Sequence, residues 1–103
     1  MTYDKLVRDK IPEIIESTGK KATYRILDEA EYKEYLERKL DEEVAEFHKS
    51  KSVEELADIR EVLDALSYVY ASYNRVRVAQ VNKYVERGGF KKRLCLIEVE
   101  END

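Results

Sequence analysis

The chain has 103 residues, 41% of them charged and 43% hydrophobic, which suits one soluble domain with a modest core and excludes a second core. A single cysteine and a single histidine exclude an intramolecular disulfide and any site built on several imidazoles. The net charge of −4 argues against a general nucleic-acid binder, and with no long apolar run we expect no signal peptide, no membrane partner and a cytoplasmic location.

The first quarter of the chain predicts a short helix followed by a short strand. Asp9 begins the helix, and Pro12 falls in its first turn, where a missing N–H costs little. Gly19 is a natural helix end. Residues 21–27 are rich in β-branched and aromatic side chains, which is typical of a strand.

Two long helices joined by a very short linker are predicted next. Each begins with a capping-box pattern, in which a small polar side chain and a glutamate three residues later satisfy each other's backbone N–H groups. The first helix is expected from Asp28 to about Lys49 and the second from Ser52 to about Tyr73. Because the linker is so short, the two helices should form an antiparallel hairpin.

The remainder predicts a third helix over about 76–87, ending at a double glycine, and a closing strand over 92–99 that pairs with 21–27. The expected fold is therefore mainly α: a single domain over residues 1–103 with an antiparallel helical hairpin and a minor two-stranded β element. These helices cannot bury all their apolar faces within one short chain. We therefore expect a homodimer or homotetramer in which helices of two subunits complete a four-helix bundle.

The negative charge is concentrated in the two long helices. Residues 28–64 carry a net charge of −8, while the segments 1–27 and 65–103 each carry +2. The simplest interpretation is a pair of solvated acidic helix faces. The alternative is a cluster of carboxylates that holds a metal ion, flanked by basic groups for an anionic substrate.

On a helical wheel, four of these carboxylates fall on or beside the apolar faces. Glu43 and Glu46 do so on the first long helix, and Glu55 and Asp58 on the second, whereas a second Glu-x-x-Asp pair six residues farther on points to solvent. Carboxylates on a buried face are costly unless they are paired or metal-bound. An all-oxygen site of this kind suits Mg²⁺ or Mn²⁺. The competing interpretation leaves Glu55 in its capping box and pairs Glu43 with Lys39.

The sequences EEVAE (Glu42–Glu46) and ELAD (Glu55–Asp58) resemble the E-E-x-x-E … E-x-x-D signature of the MazG-like, all-α nucleotide pyrophosphohydrolases. The opening YDKLVRDKIPEII (Tyr3–Ile15) and the closing ERGGFKKRLCLIEV (Glu86–Val99) resemble the ends of a subgroup often labelled phosphoribosyl-ATP pyrophosphohydrolase-like. The eight residues between the two carboxylate motifs are fewer than is usual in the family.

The resemblance implies Mg²⁺-dependent cleavage of a nucleoside triphosphate between the α and β phosphates, giving a nucleoside monophosphate and pyrophosphate. By motif match it implies that the metal ligands are Glu43, Glu46, Glu55 and Asp58. A glutamate near the metal would accept a proton from the attacking water, and the sequence leaves open whether this is Glu42, Glu43 or Glu46.

Basic side chains are needed to hold the phosphates of such a substrate. The candidates lie in the opening motif and in the third helix, and they are Lys5, Arg8, Lys10, Lys83 and Arg87. Each of the two arginines has a structural alternative, which is a salt bridge to an acidic helix residue.

Three other functions stay open at this point. One is phosphoribosyl-ATP hydrolysis in histidine biosynthesis, which the resemblance of the chain ends to a separate subgroup makes less favoured. Another is a non-catalytic helical dimerisation module with solvated carboxylates. The least favoured is a nucleic-acid binder that uses residues 75–93.

Overall fold

A computed structural model describes residues 3–101, and all the regular secondary structure in that range is helical. The helices are α1 (Ile11–Ser17), α2 (Glu29–Ser50), α3 (Val53–Tyr70) and α4 (Tyr73–Arg87). The prediction of a mainly α chain is confirmed. The prediction that 1–103 forms a single domain stays a prediction.

The predicted two-stranded element is wrong for the described residues, because 21–27 and 92–99 both run without strand structure. Most of their apolar side chains remain in solvent: Ile26 is 91% exposed and Ile97 is 86% exposed. A lone two-stranded ribbon is marginal in water unless a third element covers one face. Within residues 3–101, most of the apolar side chains of both segments are left uncovered.

The predicted start of α2 is confirmed. The side chain of Asp28 accepts a hydrogen bond from the backbone N–H of Glu31 at 2.8 Å, and the Glu31 carboxylate accepts one from the N–H of Asp28 at 3.4 Å. Arg25 donates two hydrogen bonds to the same glutamate, at 3.0 and 2.9 Å, so that the chain entering the helix is fixed to its first turn.

The boundary between α3 and α4 differs from the prediction. Instead of one helix to Tyr73 and another from residue 76, α3 ends at Tyr70 and α4 begins at Tyr73. The cause is a second serine cap: Ser72 has extended backbone angles, and its hydroxyl accepts from the N–H of Arg75 at 3.1 Å.

Helices α2 and α3 form the predicted hairpin. They are joined through Lys51 and Ser52, and the left-handed backbone of Lys51 (φ 53°) reverses the chain. The residues buried between them are few: Tyr35, Leu36 and Val62 are the only apolar ones among the described residues, and Glu43 joins them at 8% exposure. A carboxylate therefore lies within the small core of the hairpin.

Beyond this hairpin, the described helices pack little against one another. Helix α4 approaches α3 alone, none of its residues is buried, and no Cα atom of α4 comes within 8 Å of one in α2. The radius of gyration is 18.9 Å, whereas about 13 Å is expected for a compact domain of this length. None of the described helices is long and apolar enough to span a bilayer.

Candidate metal centre

Three carboxylates converge where α2 and α3 pack. Glu43 from α2 and Glu55 and Asp58 from α3 each offer one oxygen, and these oxygens all lie within 4.8 Å of one another. Glu43 is buried, and the other two are half-buried. The i, i+3 spacing in α3 places its two carboxylates on one face.

The first turn of α3 is built so that the Glu55 carboxylate is free of capping. The Ser52 hydroxyl accepts from the N–H of Glu55 at 3.2 Å, as the sequence predicts. The reciprocal bond is absent, because the N–H of Ser52 donates instead to the hydroxyl of Ser50 at 3.3 Å. Glu55 Oε2 is consequently buried and has no hydrogen-bond partner among the described residues. A buried oxygen left in this state is costly, and a cation would satisfy it.

Its surroundings raise the pKa of Glu55 from 4.5 to about 7. The largest cause is the neighbouring Glu43 carboxylate, to which a protonated Glu55 can donate a hydrogen bond, followed by burial and then by the negative charges of Glu43, Asp58 and Glu46. In the absence of a cation, a proton on Glu55 relieves the repulsion of the cluster. Carboxylate oxygens grouped in this way match the donors that Mg²⁺ and Mn²⁺ prefer.

Two basic side chains already touch the cluster. Lys39 Nζ lies 3.3 Å from Glu43 Oε1, which confirms the ion pair considered as the structural alternative for that glutamate. Arg8 Nη2 donates to Asp58 Oδ1 at 2.7 Å, and its Nη1 lies 3.8 Å from Glu61. The salt-bridge alternative for Arg8 is thus present, and it places the guanidinium at the edge of the cluster.

The opening segment is held against the hairpin at two further points. Lys5 Nζ lies 3.3 Å from Glu42, and the Tyr35 hydroxyl donates to Asp4 at 2.8 Å. The hydrogen bond to Asp4 raises the pKa of Tyr35. The sequence pattern does not indicate Tyr35, because a helical wheel places Tyr32 instead on the apolar face of this helix.

The remaining candidate residues lie outside the close group. Glu42 is paired with Lys5 and, at 3.5 Å, with Lys39. The side chain of Glu46 is 50% exposed, with Lys49 4.0 Å away, although its charge still acts on Glu55.

The predicted phosphate-binding cations are divided between two regions. Arg8 and Lys5 form ion pairs with carboxylates of the α2–α3 hairpin, and Lys10 is exposed at the start of α1. Lys83 and Arg87 are exposed on α4, which does not approach α2. The structure therefore brings Arg8 to the cluster but leaves Lys83 and Arg87 apart from it.

Comparisons with known proteins give one partial relative. A segment of 41 residues is 54% identical to part of a protein from Mycolicibacterium smegmatis (strain ATCC 700084 / mc(2)155) that is named only as an uncharacterized protein. The match covers 40% of this chain and 42% of that protein. No family model and no solved structure matches the chain.

Proposed function

We propose that this chain is a divalent-metal-dependent nucleotide pyrophosphohydrolase of the MazG-like type. It would cleave a nucleoside triphosphate between the α and β phosphates, with Mg²⁺ as the natural ion and Mn²⁺ as a substitute. The observation that carries the proposal is the convergence of Glu43, Glu55 and Asp58, where the buried Oε2 of Glu55 has no hydrogen-bond partner within residues 3–101. The resemblance of the two carboxylate motifs supplies the substrate class.

These three carboxylates would hold the ion, whereas Glu46, the fourth ligand that the motif match implies, lies outside their close group. When bound, such an ion offsets the charge of phosphate oxygens and lowers the pKa of a water molecule. The chain supplies the negative charge that retains the ion and the hairpin packing that fixes two of the ligands on one helix.

Among the three candidate bases, Glu46 has the surroundings best suited to accept a proton. Glu43 is committed to the cluster and to Lys39. Glu42 is already engaged in ion pairs with Lys5 and Lys39. Glu46 is half exposed, lies one turn from Glu43 and is close enough to act on the charge state of Glu55.

Arg8 is the best supported phosphate contact. Its guanidinium is 54% exposed and is held beside the cluster by Asp58. If a metal ion takes over the charge of Asp58, the guanidinium becomes available to phosphate oxygens, to which it can donate two parallel hydrogen bonds. Lys5 and Lys10 belong to the same segment. Lys83 and Arg87 would have to come from a second copy, in keeping with the proposed homodimer or homotetramer.

The test is a panel of nucleoside triphosphates incubated with Mg²⁺, assayed separately for pyrophosphate and for orthophosphate. Pyrophosphate is expected from the wild-type chain and from Glu54→Gln, and its rate should fall at least about a hundredfold in Glu55→Gln and Asp58→Asn. Glu54 is the matched control because it is an exposed glutamate of the same helix and takes part in no ion pair of the described residues. Equal turnover in all four proteins would refute the proposed site.

The same panel separates the competing functions. Including phosphoribosyl-ATP shows whether the chain serves histidine biosynthesis. A folded chain that binds Mg²⁺ weakly and hydrolyses no member of the panel would instead be a non-catalytic helical module. The large exposed apolar surface of the single chain supports assembly in either case.

A further inference from the structure

The last quarter of the chain is a cationic segment without anionic partners of its own. Residues 74–99, here called the basic arm, comprise most of α4 and the chain that follows it, and they carry a net charge of +5. Its basic residues are Arg75, Arg77, Lys83, Arg87, Lys91, Lys92 and Arg93. Within residues 3–101, no ion pair joins any of them to a carboxylate.

The basic arm also carries exposed apolar side chains along its whole length. Phe90 is 96% exposed, Leu94 85% and Val85 78%, and no residue of α4 is buried. Single exposed apolar side chains are common on protein surfaces, but several of them along one segment are typical of an interaction surface. The arm therefore combines the two features of a docking segment, which are unpaired charge and uncovered apolar area.

The single chain exposes far more surface than its mass requires. Its accessible area is 9758 Å². A compact monomer of 12.2 kDa exposes roughly 6,100 Å². The excess is larger than the roughly 1,000–2,500 Å² that each partner of an obligate dimer buries. There is thus enough free surface for a large contact with a second copy.

The matching surface is on the α2–α3 hairpin. Residues 28–64 carry a net charge of −8 and include Val53, Leu56 and Leu63 at 77%, 48% and 45% exposure. The helical part of the arm in the same chain approaches α3 but has no Cα atom within 8 Å of one in α2. Opposite charges and uncovered apolar side chains on the two surfaces make a second copy the natural occupant.

We propose that the basic arm of one copy lies along the acidic α2–α3 hairpin of a second copy, and that the exchange is reciprocal. A two-fold arrangement satisfies both arms and both hairpins at once and closes the assembly. The contact rests on charge and exposure alone, so it holds whether or not the chain hydrolyses nucleotides.

The first test compares two charge reversals of the same size. Lys91→Glu with Lys92→Glu changes the arm, and Lys20→Glu with Lys21→Glu changes an exposed lysine pair outside it. Light scattering and sedimentation equilibrium should find a wild-type dimer or larger assembly that dissociates more readily as salt rises. The arm reversal should raise its dissociation constant at least about tenfold, and the control by less than about twofold. Helix content, followed by circular dichroism, should be the same in all three proteins.

The second test locates the contact without a variant. A mixture of ¹⁴N- and ¹⁵N-labelled wild-type chains is treated with a carbodiimide, which joins amines to carboxylates in direct contact. Mass spectrometry should find mixed-isotope cross-links between Lys83, Lys91 or Lys92 and carboxylates of residues 28–64. A wild-type monomer at about 50 µM, or an assembly whose mixed cross-links omit the arm, would overturn the proposal. A monomer that binds a duplex DNA probe through the arm would overturn it in favour of nucleic acid.

Discussion

The protonation of Glu55 gives a sharp test of the carboxylate cluster. Because the pKa of Glu55 is raised from 4.5 to about 7, the folded chain holds one more proton than the unfolded chain between these pH values. The contribution of Glu55 to stability therefore falls as the pH rises from about 4.5 to about 7. A metal ion that binds the cluster must displace this proton.

The number of protons released follows from the pKa. With a value of about 7, Glu55 is about 90% protonated at pH 6, about half protonated at pH 7 and about 10% protonated at pH 8. Binding of Mg²⁺ or Mn²⁺ should then release about 0.9, 0.5 and 0.1 proton at those pH values. Metal affinity should rise with pH over the same range and become constant above it.

Isothermal titration calorimetry in buffers of different ionisation enthalpy measures this release directly. Glu54→Gln should match the wild-type chain, since Glu54 is exposed and lies outside the close group. Glu55→Gln should release no proton, and if it binds too weakly to measure, ¹³C spectra of the metal-free wild-type chain supply the same pKa. Release of less than about 0.2 proton at pH 6, or titration of Glu55 near its ordinary value, would refute this description of the cluster.

Three further substitutions test the surroundings of the site. Arg8→Gln removes the ion pair that competes with a metal for Asp58, so Mg²⁺ affinity should rise by up to about fivefold, as measured by calorimetry. Tyr35→Phe removes the hydrogen bond to Asp4 and should lower the free energy of unfolding in urea by about 0.5–1.5 kcal/mol. Leu36→Ala leaves a cavity at the most buried of the described residues, which is 2% exposed, and should lower the free energy of unfolding by about 2–5 kcal/mol in the same assay.

Each of these substitutions has a matched control on the surface. Arg60→Gln should leave Mg²⁺ affinity unchanged, since Arg60 is exposed on α3 and contributes to no ion pair of the described residues. Tyr24→Phe, at a tyrosine 67% exposed, and Ile14→Ala, at an isoleucine of α1 54% exposed, should each lower the free energy of unfolding by less than its buried counterpart. If a control matched its partner, the explanation by contact and burial would be wrong.

The hairpin and its acidic face follow from local patterns. The spacing of polar and acidic residues indicates the caps at Asp28 and Ser52. A helical wheel places Glu43, Glu55 and Asp58 on or beside the apolar faces of the two helices, and the short linker brings these faces together. The same reasoning does not distinguish Glu46, because its position at the edge of the apolar arc lets the side chain turn toward solvent.

Features that depend on long-range contacts were harder to predict. The segments 21–27 and 92–99 have strand-like composition, but pairing needs a covering element that one chain does not provide. The hydrogen bond between Tyr35 and Asp4 joins residues 31 positions apart, and no local sequence pattern predicts it. The Ser72 cap has a readable signal, since a serine between two helical stretches favours a new helix start.

The central claim is hydrolysis at the α-phosphorus, and the fate of oxygen from water tests it most directly. The wild-type chain is incubated in H₂¹⁸O with Mg²⁺ and the nucleoside triphosphate of the panel that it hydrolyses fastest. The masses of both products are then measured by mass spectrometry. Our account predicts one ¹⁸O atom in the nucleoside monophosphate and none in pyrophosphate, with no labelled product from Glu55→Gln. Label in pyrophosphate or orthophosphate, or no turnover by the folded, metal-loaded chain, would contradict it.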